Sequence, residues 1–326
     1  MRSLDRKLAS IRNGKYTSDD FIIADAKDGD IGFGRASCVR DAKGHFTPRA
    51  THLEAIREMT RSGLVDIMLM SASTAERLSN EGLFKGSEVT PAIRLNDTTD
   101  IWSARGGRYK EEPSRHHRTA RIEQARKLTD LGLYSVTFSN QVDIDAANAE
   151  AYSTFRAEAG ANNMRHFLEV FNPAFDIKLT GGADIGSFIN DNIVRTLAGV
   201  IEADYPKFLK LQYNGPRAME ELASYDPGHL IVGILGGAAG TARDTFELLS
   251  QAERYGARVA LFGRKIHLAE SPIDIVSMMR QVVARAVTPE EAVKAYHGAL
   301  QSKKIRPARP LSDDLQLTEE PLKLAA

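Results

Sequence analysis

The chain has 326 residues, in which 43 Lys and Arg balance 43 Asp and Glu, and it carries one cysteine. That length holds one large α/β domain or two medium ones, and zero net charge leaves no global field to draw nucleic acid or an anionic membrane, so neither is expected as a partner. Cys38 alone cannot close an intrachain disulfide or build a thiolate metal cage, which suits a reducing compartment.

In chain order, MRSLDRKLASIRNGKY interleaves charges with apolar residues and reads as a short amphipathic helix, neither a signal peptide nor a membrane span. A cytoplasmic location is the expectation. Strand-like apolar runs follow at 20–27, 65–72, 90–97, 133–140, 166–172, 207–213, 229–237 and 258–263. Between them lie helical patterns such as THLEAIREMTRSG, RTARIEQARKLTDLG and GTARDTFELLSQAERYG, each ending at the glycine expected of a helix C-terminus. The fifth strand is followed by an unusually long return, 172–192, placed to cover a barrel mouth. Beyond the eighth strand, Ser271 and Pro272 open a helix, and Thr288 with Glu291 has capping-box spacing. The tail from Lys303 onward reads as a surface arm, giving a barrel domain over 1–302 and a C-terminal extension over 303–326.

Eight strands alternating with helices close as a (β/α)8 barrel or lie open as a doubly wound sheet. The barrel is preferred. A dinucleotide-binding sheet would show G-x-G-x-x-G soon after its first strand, and GDIGFG at 29–34 has the wrong spacing; G-x-x-x-x-G-K-[ST] does not occur.

Strand side chains alternate between faces, and in a barrel one parity points inward. In KFLKLQY, an inward Lys210 takes Phe208 and Gln212 with it and leaves two leucines to pack against helices; Lys207 falls at the end remote from the chemistry. The same parity puts Asp25 and Lys27 inside on the first strand, Arg94 and Asn96 on the third, Ser135, Thr137 and Ser139 on the fourth, and Glu169 on the fifth. An ammonium among carboxylates and apolar walls is the inventory of Schiff-base catalysis, in which a desolvated amine attacks a carbonyl while nearby acids shuttle protons. Lys210 is the candidate nucleophile, with Asp25 and Glu169 as its acids. GILGGAAGT and ALFGRKI each end a strand in glycine before a helix, where backbone amides bind phosphate; Gly236, Gly237, Gly263 and Arg264 are the candidate donors.

FLKLQYNGP resembles the sixth-strand lysine segment of the class I aldolases that group with archaeal-type fructose-bisphosphate, deoxyribose-phosphate and tagatose-bisphosphate aldolases. IRLND is similar to their third-strand K-L-N segment, LEVFNP to the fifth-strand glutamate of the tagatose-bisphosphate branch, and LGGAAG with ALFGRKI to their paired phosphate loops. The resemblance spans about residues 20 to 285 and implies a metal-independent aldolase, with no cofactor, acting on a phosphorylated ketose or deoxy sugar. It matches Lys210 to the Schiff-base lysine, Asp25 and Glu169 to the first- and fifth-strand acids, and the four glycine-loop residues to the phosphate binders. Lys27, Arg94, Asn96 and Gln212 are the further substrate-contact candidates. Relatives carry a fourth-strand tyrosine or lysine where this chain offers Thr137 and Ser139, so proton relay falls to Glu169, with Tyr213 or Tyr134 as substitutes. A transaldolase-like transferase and a non-catalytic sugar-phosphate sensor are the alternatives, and a homo-oligomer is the default assembly.

His116 and His117 lack the spacing of a helical metal site, and no metal is expected. RGGRYKEEPSRHHR reads as a solvated loop, with a lid whose arginines meet a phosphate late as the alternative, and Trp102 as packing near the mouth.

Overall fold

The computed structural model describes residues 1–41 and 43–324. Eight parallel strands close into a barrel with helices between them, a (β/α)8 fold: β1 (Ile22–Lys27), β2 (Ile67–Met70), β3 (Thr90–Arg94), β4 (Leu131–Thr137), β5 (Arg165–Phe171), β6 (Leu209–Leu211), β7 (Gly233–Leu235) and β8 (Val259–Phe262), with β8 pairing back onto β1. Every expected strand is present, most of them shorter than the apolar runs that announced them. Leu131 and Gly132, read as the end of a helix, already belong to β4 and pair with Arg165 and His166 of β5.

Two apolar clusters follow from strand alternation. The inner one holds Ile22, Ala24, Ile67, Leu69, Ala92, Leu133, Phe167, Phe208 and Leu261; the outer one joins Ile23, Met68, Ile93, Leu168, Leu209 and Phe262 to the surrounding helices. Leu4, Leu8 and Ile11, one face of the N-terminal helix Ser3–Arg12, belong to the inner cluster. That helix stoppers the end where strands begin, since Lys7 Nζ donates to Phe21 O at 2.9 Å and Arg2 to Val89 O at 3.0 Å. Stoppering one end leaves polar side chains to gather at the other.

The C-terminal segment is docked on the barrel. Ala242 N donates to Asp314 at 2.8 Å, Thr318 Oγ1 donates to Asp244 at 2.5 Å, and Leu322 is buried. It lies along the helix Ala242–Arg254 that follows β7. The capping box at Thr288 forms as expected, with Glu291 N donating to Thr288 Oγ1 at 3.2 Å and Thr288 N to Glu291 Oε2 at 2.8 Å. No described helix is long and apolar enough to cross a membrane.

Candidate active site

A cavity of about 470 Å³ opens at the C-terminal ends of the strands. Its floor is built from neighbouring strands in register: Glu169 of β5 sits opposite Ser135 of β4 on one side and Lys210 of β6 on the other. Lys210 Nζ lies 2.5 Å from Glu169 Oε1, and both side chains are almost wholly buried. Glu169 Oε2 accepts from Arg94 at 2.7 Å and from Ser135 Oγ at 2.8 Å.

Arg94 organises the centre. Its guanidinium reaches Glu169, Ser135 at 2.7 Å, Asp97 Oδ1 at 3.4 Å and, through Nε, Asp28 Oδ2. Burial alone would lower its pKa, but Glu169, Asp28 and Asp97 outweigh that and hold it above the ordinary arginine value. Asp28 shows the complement: burial pushes its carboxyl up, while Arg94 and Lys210 pull it below the usual range. Asp97 has no such surplus of cations. Burial, with Glu169 and Asp28 adding to it, pushes its pKa up to about 6 against the pull of Arg94 and the Thr98 amide.

Four expectations need correction. Asp25 shares a face with Ile23, but that face is the outer one: it pairs across the sheet with Met68 and Phe262, both helix-facing. Its carboxylate lies 3.3 Å from Lys27 Nζ and does not line the cavity; the first-strand segment supplies Asp28 instead. Asn96 is spent on structure, accepting from Ser135 N at 2.5 Å and donating to Ser135 O at 2.8 Å, so that it splices the end of β3 to β4. Tyr134 and Tyr213 face the helices, hydrogen-bonded to His116 at 3.0 Å and Gln251 at 2.9 Å, and neither reaches the cavity. Thr137 Oγ1 turns to Asp100 at 3.3 Å. The fourth strand therefore offers the cavity no titratable group.

The remaining expected residues do converge. Lys27, Arg94, Glu169, Lys210, Gln212, Gly236, Gly237, Gly263 and Arg264 all line the cavity. Gly237 has a left-handed φ of 66°, which costs an L side chain strain. At Gly263 a Cβ would stand 3.1 Å from Ala26 O, so glycine lets the loop after β8 press against β1. Arg264 holds its guanidinium over the Phe33 ring at 5.4 Å. Loop amides beside an arginine suit an oxyanion.

Sequence reasoning missed Asp28, Asp97, Lys110, His52 and His267, all of which line the cavity. His267 Nε2 lies 3.0 Å from Ser37 O and so donates, leaving Nδ1 to accept from Lys27 Nζ at 3.4 Å. Burial, then Lys27 and His52, lowers the His267 pKa to about 4. GDIGFG forms the short helix Gly29–Phe33 over the cavity, and Asn172, Pro173 and Ala174 of the long return form another wall. The charged stretch after β3 is not wholly solvated, for Lys110 reaches the rim. His116 and His117 form a two-residue antiparallel ladder with Asp97 and Thr98. Among the described residues no group of three His, Cys, Asp or Glu is placed to hold a metal ion.

No protein-family profile matches the chain, and no curated protein does. Solved structures do. An archaeal fructose 1,6-bisphosphate aldolase superimposes with a TM-score of 0.62 at 16% identity, covering 86% of this chain and 99% of that one. An archaeal fructose-1,6-bisphosphate aldolase whose catalytic lysine is covalently bound to the carbinolamine intermediate of its substrate gives 0.61, at the same identity and coverage. A protein of Corynebacterium glutamicum gives 0.57 at 18% identity, covering 87% and 94%. In fold, this chain is a (β/α)8 barrel of the kind found in archaeal class I aldolases.

Proposed function

We propose that the chain is a class I aldolase that reversibly cleaves a phosphorylated ketose or deoxy sugar through an iminium on Lys210. The observation that carries this reading is the buried Lys210–Glu169 pair at 2.5 Å in a cavity that the Gly236–Gly237 and Gly263–Arg264 loops also line. That layout holds an anionic group at one end and a carbonyl over the amine at the other, which converts encounter into a positioned reaction.

Glu169 takes a proton from the Lys210 ammonium, freeing the amine to attack the carbonyl carbon. The same carboxyl returns that proton to the carbinolamine oxygen, which leaves as water and generates the iminium. The positive iminium then accepts the electron pair of the neighbouring C–C bond, so the reaction as drawn draws its electron sink from the protein itself. Arg94, itself paired with Asp28, fixes Glu169 and balances charge where water is scarce. Lys27 and Gln212, which line the cavity, are further substrate-contact candidates.

The reading is tested by incubating the protein with a panel of ketose and deoxy-sugar phosphates, with and without an acceptor aldehyde, and identifying the products. An aldolase releases two fragments without acceptor. A transferase turns over only when the acceptor is supplied, and a sensor binds without turnover; either result replaces the proposal.

A further inference from the structure

Cleavage of a C–C bond through an iminium needs a proton carrier beside the reacting hydroxyl, and it need not be the group that makes the imine. It removes the proton of the hydroxyl on the carbon that becomes an aldehyde, and later delivers a proton to the enamine carbon. Glu169 is already bound by Lys210, Arg94 and Ser135. Arg94 and Lys210 pull the Asp28 carboxyl below its usual range, which makes it a weak base for a hydroxyl proton. Thr137, Tyr134 and Tyr213 do not line the cavity.

Extending the aldolase reading above, we propose that Asp97 is this proton carrier and therefore a catalytic residue of the C–C bond step. Asp97 lines the same cavity as Lys210. Its carboxylate is aimed by three donors: Trp102 Nε1 at 2.9 Å on Oδ2, and Thr98 N at 3.0 Å with Arg94 at 3.4 Å on Oδ1. Trp102 is itself held edge-on between Tyr109 and His117, at 5.0 and 4.9 Å. Opposite Oδ2 the chain carries Gly32, where a Cβ would touch that oxygen at 3.8 Å, so glycine keeps a side chain of the helix Gly29–Phe33 off it. The charged and titratable groups around Asp97 are Arg94, Asp28, Glu169 and Lys210 in the cavity, Lys110 at the rim, and His117 across the two-residue ladder. A carboxyl titrating near 6 in this setting is largely ionised at neutral pH, yet its conjugate acid is within easy reach.

In the cleavage direction Asp97 accepts the hydroxyl proton. The O–H electrons form the aldehyde C=O, the C–C bond breaks, and its electron pair passes to the iminium, leaving an enamine on Lys210. The enamine carbon then takes the proton back from Asp97, restoring an iminium that water hydrolyses to the second carbonyl product and free Lys210. Nothing is oxidised, and Asp97 ends as it began.

The test uses the full chain with Asp97→Asn and Asp97→Glu, and a sugar phosphate that the wild type cleaves. Two readouts are taken: the borohydride-trapped adduct on Lys210 and the rate of cleavage. The proposal expects Asp97→Asn to keep the adduct while cleavage falls about 100- to 10,000-fold. It also expects deuterium uptake from solvent at the enamine carbon to be lost, and Asp97→Glu to restore part of the rate with a displaced acidic limb in its pH profile. Cleavage by Asp97→Asn within about twofold of wild type, or loss of adduct and cleavage together, overturns it. Absence of any adduct in the wild type would instead remove the aldolase reading on which the proposal rests.

Discussion

Lys210 and Glu169 are Cα partners across β5 and β6, and their side chains meet at 2.5 Å with almost no access to solvent. A charged pair in that position is expensive to bury and is held by Arg94 and Ser135 on the other carboxylate oxygen. Glu169→Gln keeps the shape but leaves the ammonium without its counterion. We predict a loss of about 3 kcal/mol in unfolding free energy, read by urea denaturation, and a fall in turnover of at least about 100-fold.

Arg94→Lys is predicted to be far from conservative. One guanidinium bridges Asp28, Asp97, Glu169 and Ser135, and an ammonium cannot satisfy that fork. The variant is expected to lose about 2 kcal/mol or more of stability, with Asp28 titrating at higher pH than in the wild type. Carboxyl chemical shifts followed against pH check the second point.

The buried His267 gives stability a pH dependence of known sign. Its folded pKa, about 4, lies below the ordinary histidine value near 6.5, so the unfolded chain binds more protons between those two values. The stability tied to neutral His267 is therefore complete above about pH 6.5 and drains away as pH falls toward 4. Asp97 runs the other way over its lower range, since its raised pKa favours folding below about pH 4 and that benefit is lost through about 6. His267→Gln should remove the first slope and expose the second. The stability difference between wild type and variant should shrink by about 2 kcal/mol from pH 7 to pH 4.

The docked C-terminal segment is predicted to support the glycine loops of the cavity, and with them the proposed phosphate site. Lys265, next to Arg264, is fully buried, pairs with Glu319 at 2.7 Å and lies 3.5 Å from Ala239 O in the glycine loop after β7. Glu319→Gln leaves that ammonium unbalanced. The expected result is a several-fold weaker affinity for inorganic phosphate by calorimetry, with about 2 kcal/mol lost in stability. Unchanged phosphate affinity would detach the arm from the site.

The barrel was legible because alternation and glycine punctuation recur eight times, and because β3 to β6 contrast polar or bulky inner residues with aliphatic outer ones. β1 offered no such contrast. In Ile22–Lys27 both parities are buried, and small alanines occupy the inner face where chemistry was expected, so Asp25 was placed inside, whereas Asp28 is the aspartate that lines the cavity. Asp97 was hidden for a different reason. Regular pairing of β3 ends at Arg94, and beyond it parity no longer fixes which way a side chain points. Asn96 is drawn into the splice with Ser135, and Asp97 turns to the cavity. Tyr134 and Tyr213 obey alternation, which puts both among the helices.

The central claim is a covalent bond between Lys210 and a substrate carbonyl. The most direct measurement is borohydride reduction in the presence of sugar phosphates and dihydroxyacetone phosphate, followed by intact-mass and peptide mapping, with Lys210→Arg alongside. The account predicts a mass increase on the peptide containing Lys210 and none in Lys210→Arg. An adduct on another lysine, such as Lys27, or no adduct while phosphate ligands still bind, would contradict it.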